Sequence, residues 1–145
     1  MDISKPILLV DDSDQDIELI AMCLKESGGL VNTIDIAGDG EEALDYLYRR
    51  GKFHGRASSE PAVIFLDLKM PKIDGFEVLS TIKSDEKLKS IPVVILTSSR
   101  ENRDIARSYA GGANAYVVKP LDSLEFMDTI KQACLFWINV NVLPA

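Results

Sequence analysis

Five short runs of aliphatic and branched residues punctuate the chain: ILLV at 7–10, TIDIA at 33–37, VIFLD at 63–67, VVILT at 93–97 and AYVVK at 115–119. Runs of four or five such residues with little polar alternation suit strands buried on both faces. Between them the apolar positions recur every three or four residues. Ile17, Ile20 and Leu24 would line one face of a helix over 14–27, with Ser13 and Asp16 spaced as a capping box at its start. A second helix fits 40–51, with Ala43, Leu44, Leu47 and Tyr48 inward; a third begins near Gly75, a fourth covers 101–110 and a fifth runs from Ser123 toward Asn139. Strand and helix alternating in this way predict an α/β fold, a doubly wound five-stranded parallel sheet between two helical layers. The pattern by itself leaves the strand order open.

Two segments depart from the rhythm. Residues 49–62, RRGKFHGRASSEPA, are rich in glycine, serine and basic residues and predict an exposed excursion, either solvated or offered to a partner. The extension 136–145, FWINVNVLPA, carries more apolar material than a solvated tail needs, which suggests burial against its own domain or against a second copy. A length of 145 residues, 46% of them hydrophobic, suits a single domain over 1–145. The formal charge of -7 and the scattered lysines and arginines argue against nucleic acid as a direct partner, because phosphate-backbone binding needs a basic footprint. The only cysteines, Cys23 and Cys134, sit in helical apolar patterns and read as reduced thiols of a cytoplasmic protein. The N-terminal apolar run lacks a basic flank and meets aspartates at once, so it reads as neither a secretory signal nor a membrane span. The single histidine, His54, falls in the long loop and excludes a histidine-rich metal site.

Candidate chemistry collects where the strands end. In a parallel sheet, ligands sit beyond the carboxyl ends of the strands, and the runs above end at Asp11 and Asp12, at Asp67, at Thr97 and at Lys119. Asp12 and Asp67, helped by Asp11, offer hard oxygen ligands to a divalent cation such as Mg²⁺, and the main-chain carbonyl of Lys69 offers another. Such a cation would relieve the repulsion among the acids and let the Asp67 carboxylate attack phosphorus. Lys119 would then pair with one phosphoryl oxygen and Thr97 would donate to another. Asp14 and Asp16 need no such role, since the start of the first helix explains them. Pro120 keeps Lys119 out of helical geometry and permits a cis bond. Asp74 reads as a helix-start residue, and Tyr116 on the fifth strand as half-buried packing or a movable aromatic.

LLVDD, LDLKMPKIDGFEVL, VVILTSS and AYVVKP, in that order and at these separations, make the chain similar to the response-regulator receiver domains of two-component signalling over about residues 5–138. The resemblance implies a flavodoxin-like three-layer sandwich with strand order 2-1-3-4-5. It implies that Asp67 is phosphorylated by a histidine kinase, that Asp12 is the main carboxylate ligand of Mg²⁺ or Mn²⁺, and that Asp11 contacts the metal through water. It also makes Lys69 the carbonyl ligand, Lys119 the phosphate-binding lysine, and Thr97 with Tyr116 the switch pair. The long loop and FWINVNVLP further resemble stand-alone regulators paired with phytochrome kinases. With no output domain following, that likeness implies signalling through homodimerisation, a protein effector or onward phosphotransfer, without an enzymatic activity beyond phosphoryl uptake and loss.

Rival motifs fail on their own requirements. DDSDQD begins like a calcium loop, but Ile17 stands at the obligatory glycine and Cys23 at the bidentate glutamate. A haloacid-dehalogenase-like phosphatase would use Asp12-Ser13-Asp14, yet has Asp16 where that motif usually carries threonine or valine and leaves Asp67 idle. A binding module that is never phosphorylated would be marked by a lost pocket residue, and each one is present.

Overall fold

Along β1 (Ile7–Val10) successive side chains enter opposite cores, as the two-residue period of a strand requires. Leu8 and Val10 join one core with Ala43 and Leu47 of α2 (Gly40–Tyr48) and with Val78, Leu79 and Ile82 of α3 (Gly75–Ser84). Ile7 and Leu9 join the other, with Ile20, Cys23 and Leu24 of α1 (Asp14–Glu26) and Phe126, Ile130 and Cys134 of α5 (Ser123–Cys134). The computed structural model describes residues 5–26, 33–56 and 59–142. Within them β2 (Ile34–Ala37), β3 (Val63–Leu66), β4 (Val93–Thr97) and β5 (Ala115–Val118) complete an all-parallel sheet in the order β2-β1-β3-β4-β5. α4 (Asn102–Ala110) precedes β5.

The register positions the chemistry. Val10 lies opposite Leu66, so Asp11 and Asp67 leave the sheet side by side; Thr97 lies opposite Val118, so Lys119 emerges beside it. Backbone bonds from Asp67 N to Val10 O (3.0 Å) and from Lys119 N to Thr97 O (2.7 Å) carry the pairing to this edge.

Three local expectations change. The second helix stops at Tyr48 rather than 51: Arg49 turns left-handed (φ 54°, ψ 54°), its N–H and that of Arg50 donate back to Tyr46 O and Asp45 O, and Gly51 follows with φ 56°. The buried tyrosine of this helix is Tyr46 rather than Tyr48: the Tyr46 hydroxyl donates to Asp35 Oδ2 at 2.6 Å, while Tyr48 is exposed and donates to Asp85 Oδ2. The excursion after α2 is not simply solvated. The Arg56 side chain is 8% exposed; its guanidinium lies 4.0 Å over the Tyr46 ring, donates to Tyr46 O and Ser59 O, and pairs with Glu60, which also holds Arg49.

At the other end α5 passes at Cys134 into a π-helical turn, Leu135–Val140. The turn divides the apolar extension. Ile138 is buried and Trp137 packs beside it, whereas Leu135, Phe136, Val140 and Val142 face outward. Ser27 of the expected first helix, Ala57 and Ser58 of the long loop, and Leu143, Pro144 and Ala145 of the extension lie outside the described residues. Cys23 and Cys134 are both buried and neither is in a disulfide, and burial pushes the Cys134 thiol up to about 12, so that it behaves as a small apolar group.

The loop after β3 is gripped from two sides by glycines. A Cβ on Gly75 would collide with the Asp67 carbonyl and lie 2.7 Å from Leu68 Cα; one on Gly40 would collide with the backbone of Ile73. Neither neighbour can yield without moving main chain. Gly75→Ala is therefore expected to lower the urea-unfolding free energy by about 1–3 kcal/mol, and unchanged stability would show that the contact is slack.

Candidate functional site

The site forms because five polar side chains project from the carboxyl edge of an otherwise apolar sheet. Asp11 is 1% exposed and both of its oxygens accept: Oδ1 from Ser13 N at 2.9 Å, Oδ2 from Lys119 Nζ at 2.6 Å. Asp12, next to it, is exposed. Asp67 is buried, accepts from Leu68 N at 2.8 Å, lies 3.6 Å from Lys119 Nζ and has the Thr97 hydroxyl as a neighbour. Thr97 is fully buried at the end of β4. The structure thus brings together Asp11, Asp12, Asp67, Thr97 and Lys119, and Lys69 follows two residues after Asp67.

Burial dominates the electrostatics. It raises the Asp67 carboxyl above its ordinary value, against the opposing pull of the Lys119 charge, the Thr97 hydroxyl and the Leu68 and Lys69 N–H groups. Burial works against the Lys119 ammonium too, but its bonds to Asp11 and Asp16 and the neighbouring negative charges outweigh that and lift it above an ordinary lysine. The ammonium therefore stays charged, and the carboxylates around it retain a residual repulsion.

One carboxylate from each of Asp11, Asp12 and Asp67 places an oxygen within 4.8 Å of the other two. Three oxygen donors at one site suit a hard divalent cation better than a soft one. Asp11, whose oxygens both already accept, is suited to holding a metal-bound water, and exposed Asp12 to direct ligation.

Several residues acquire roles that local sequence reasoning did not assign. Asp16 was expected to complete a capping box, but only half of that box forms: Ser13 Oγ accepts from Asp16 N at 3.3 Å, while the Asp16 carboxylate turns to Lys119 Nζ at 2.9 Å. Ser13 N, the group the box would have used, donates to Asp11 instead. Ser99 is the common partner of the two expected switch residues. Its N–H donates to Thr97 Oγ1 at 3.4 Å, and its carbonyl accepts from the Tyr116 hydroxyl at 3.0 Å. Its own hydroxyl donates to Asp104 Oδ2 at 2.6 Å, which holds that carboxyl below the ordinary range despite its burial, and Lys69 Nζ stands 3.7 Å away. Spacing could have flagged Asp16, in the first turn above the acidic edge, and Ser99, two residues beyond Thr97. The Lys119–Pro120 bond is trans, not the cis form that Pro120 permits. Asp14, the second acid of the phosphatase-like motif, is exposed on α1, while Asp67 occupies the centre.

A parallel sheet ordered 2-1-3-4-5 with this edge is that of a signalling receiver. The chain belongs to the response regulator receiver domain family, which it matches over residues 7–131. It is 39% identical over 145 residues to response regulator Rcp1 of Synechocystis sp., covering 97% of this chain and 94% of Rcp1. The solved Mn²⁺-bound form of Rcp1 superposes with a TM-score of 0.90 at 37% identity, over 97% of this chain and 99% of that one. A phosphorylated cyanobacterial phytochrome response regulator, RcpA, superposes at 0.91 with 38% identity, over 98% and 99%. The probable methanogenesis regulatory protein FilR2 of Methanothrix harundinacea is 40% identical over 139 residues, 95% of this chain and 86% of FilR2. Among the described residues no helix is long and apolar enough to cross a membrane.

The raised pKa of Asp67 has a definite sign in stability. The folded state holds that proton more tightly than the unfolded chain, so the associated stability is complete below the ordinary aspartate value of 3.8 and is lost as pH rises through the folded value. Asp67→Asn removes this loss while keeping an acceptor. In buffer with a chelator the variant is expected to unfold at higher urea than wild type at pH 7, with the gap closing toward pH 4; a variant less stable than wild type at pH 7 would contradict this electrostatic reading.

Proposed function

We propose that the chain accepts a phosphoryl group on Asp67 from a sensor histidine kinase and signals by the resulting change of surface. The observation that carries this reading is the placement of Asp67: buried at the end of the central strand, 3.6 Å from the Lys119 ammonium, beside the Thr97 hydroxyl, and grouped with Asp11 and Asp12. In the transfer an Asp67 oxygen bonds to phosphorus as the bond to the donor imidazole breaks, and the imidazole keeps the bonding pair. Lys119 pairs with one phosphoryl oxygen and Thr97 donates to another. Asp11, Asp12, Asp67 and the Lys69 carbonyl would hold Mg²⁺ or Mn²⁺, which when bound lowers the repulsion between a carboxylate nucleophile and an anionic donor. Beyond this self-directed chemistry the protein turns over no substrate.

Phosphorylation adds roughly 1.5 to 2 negative charges at the strand edge. As the Thr97 hydroxyl turns to the phosphoryl group it releases Ser99 N, and Tyr116, tied to Ser99 O, follows the loop. That shift biases the surface of α4 and β5. The likeness to RcpA across nearly the full length of both chains supports a phytochrome-type kinase as donor. We read residues 1–145 as one cytoplasmic receiver domain whose output passes through a protein effector, onward phosphotransfer or a homodimer, with no contact to nucleic acid or membrane.

Two measurements test the reading. Intact mass after incubation with acetyl phosphate and Mg²⁺ is expected to show a phosphate-sized gain in wild type and none in Asp67→Asn; an equal gain in the variant would refute Asp67 as acceptor. Exposed Leu135, Phe136, Val140 and Val142 supply the apolar surface for the homodimer. Sedimentation is expected to show a dimer at high micromolar concentration and a monomer for Phe136→Glu, whereas a wild type that stays monomeric with and without phosphodonor would remove self-association from the proposal.

A further inference from the structure

Lys119 is enclosed by three carboxylates, and only two of them belong to the group able to share a cation. Asp11 and Asp67 stand in that group; Asp16 does not. An ammonium has three N–H donors in fixed tetrahedral directions. Two are spent on Asp11 at 2.6 Å and Asp16 at 2.9 Å, and the nearest remaining carboxylate oxygen, Asp67 Oδ2, lies at 3.6 Å, close enough for attraction but beyond a hydrogen bond.

Asp16 can hold this position because its own backbone is held. Its N–H donates to Ser13 Oγ, and one turn further Ile20 packs into the core of α1 and α5. The contact spans 103 residues of sequence and ties the first turn of α1 to the end of β5. Beside it opens a cavity of about 250 Å³ whose lining includes Gln15, Asp16, Ser98, Lys119 and Leu121. A free lysine arm would be able to swing toward this opening; one held by both Asp11 and Asp16 is not.

We propose that Asp16 is a positioning residue for phosphoryl transfer: by anchoring the Lys119 ammonium from the side of α1, it leaves the third N–H aimed at Asp67 and the phosphoryl oxygens that arrive there. This rests on Asp67 being the phosphoacceptor. Asp16 touches neither phosphorus nor the nucleophile and acts only through Lys119. A residue serving merely as an acidic helix start would instead act on folding, and exposed Asp14, two residues earlier in the same turn, provides the comparison.

The test is a double-mutant cycle on the initial rate of phosphoryl uptake from acetyl phosphate at saturating Mg²⁺, with each protein confirmed folded by circular dichroism. Asp16→Asn is expected to slow uptake by about tenfold, the scale of one lost orienting contact. Asp14→Asn is expected to leave the rate unchanged. In a Lys119→Met background, itself slow, Asp16→Asn is expected to add no further loss, because the group it positions has gone. A wild-type rate in Asp16→Asn, an equal slowing in Asp14→Asn, or full additivity with Lys119→Met would overturn the positioning role. If wild type takes up phosphoryl groups at none of its residues, the phosphoacceptor reading fails and the proposal falls with it; normal wild-type uptake beside an additive cycle defeats the proposal alone.

Discussion

Lys119 reaches back from the end of β5 to set its ammonium 2.6 Å from Asp11, 2.9 Å from Asp16 and 3.6 Å from Asp67. Three strand spacings of about 4.8 Å separate β5 from β1, so a short side chain could not deliver charge across that edge. The interaction makes the acidic edge tolerable, since carboxylates removed from water repel one another and lose solvation. It also dictates topology. Asp11 and Asp67 must leave adjacent strands and Thr97 and Lys119 the next two, as the order β1-β3-β4-β5 provides. The apolar cores on either face serve this edge by fixing the register that aligns it.

The strands were legible because buried parallel strands admit little but aliphatic residues, and all five appear within a residue of the runs that announce them. The strand-end site residues were legible for a related reason: polar side chains directly after such runs have few structural excuses. Asp16, Ser99 and Arg56 were not. Each has a sufficient local explanation, as a helix-start acid, a possible cap and a loop cation, and their actual partners are set by packing between distant elements. Tyr46 and Tyr48 show the same limit within one helix. Periodicity allowed either to face inward, and Asp35 on the neighbouring strand, with Arg56 above the ring, decided for Tyr46.

The two helices flanking the site are fastened by different means. α3 enters its core with Val78, Leu79 and Ile82. The buried residues of α4 are Asp104 and Ser108, and Asp104 is held by the Ser99 hydroxyl. Apolar burial resists displacement in every direction, whereas a polar attachment can be exchanged for another of similar strength. α4 is thus tied to the loop that carries Ser99 by a hydrogen bond, with Arg107 laid 3.9 Å over the Phe76 ring of α3, and Tyr116 links the same loop to the half-buried strand β5.

The glycine-lined grip on the segment after Asp67 gives the pocket a fixed wall. Gly75 seats α3 against the Asp67 carbonyl, and Gly40 seats α2 against Ile73, both by main-chain contact with no side chain to compress. A group bonded to Asp67 would therefore meet fixed main chain on that side. On the opposite side the Ser99 loop meets Thr97, Asp104 and Tyr116 through one hydrogen bond each. If Asp67 accepts the phosphoryl group, as proposed, displacement would follow the softer direction, so the architecture would act as a mechanical rectifier that sends the strain toward the Ser99 loop, α4 and β5 rather than toward α2 and α3.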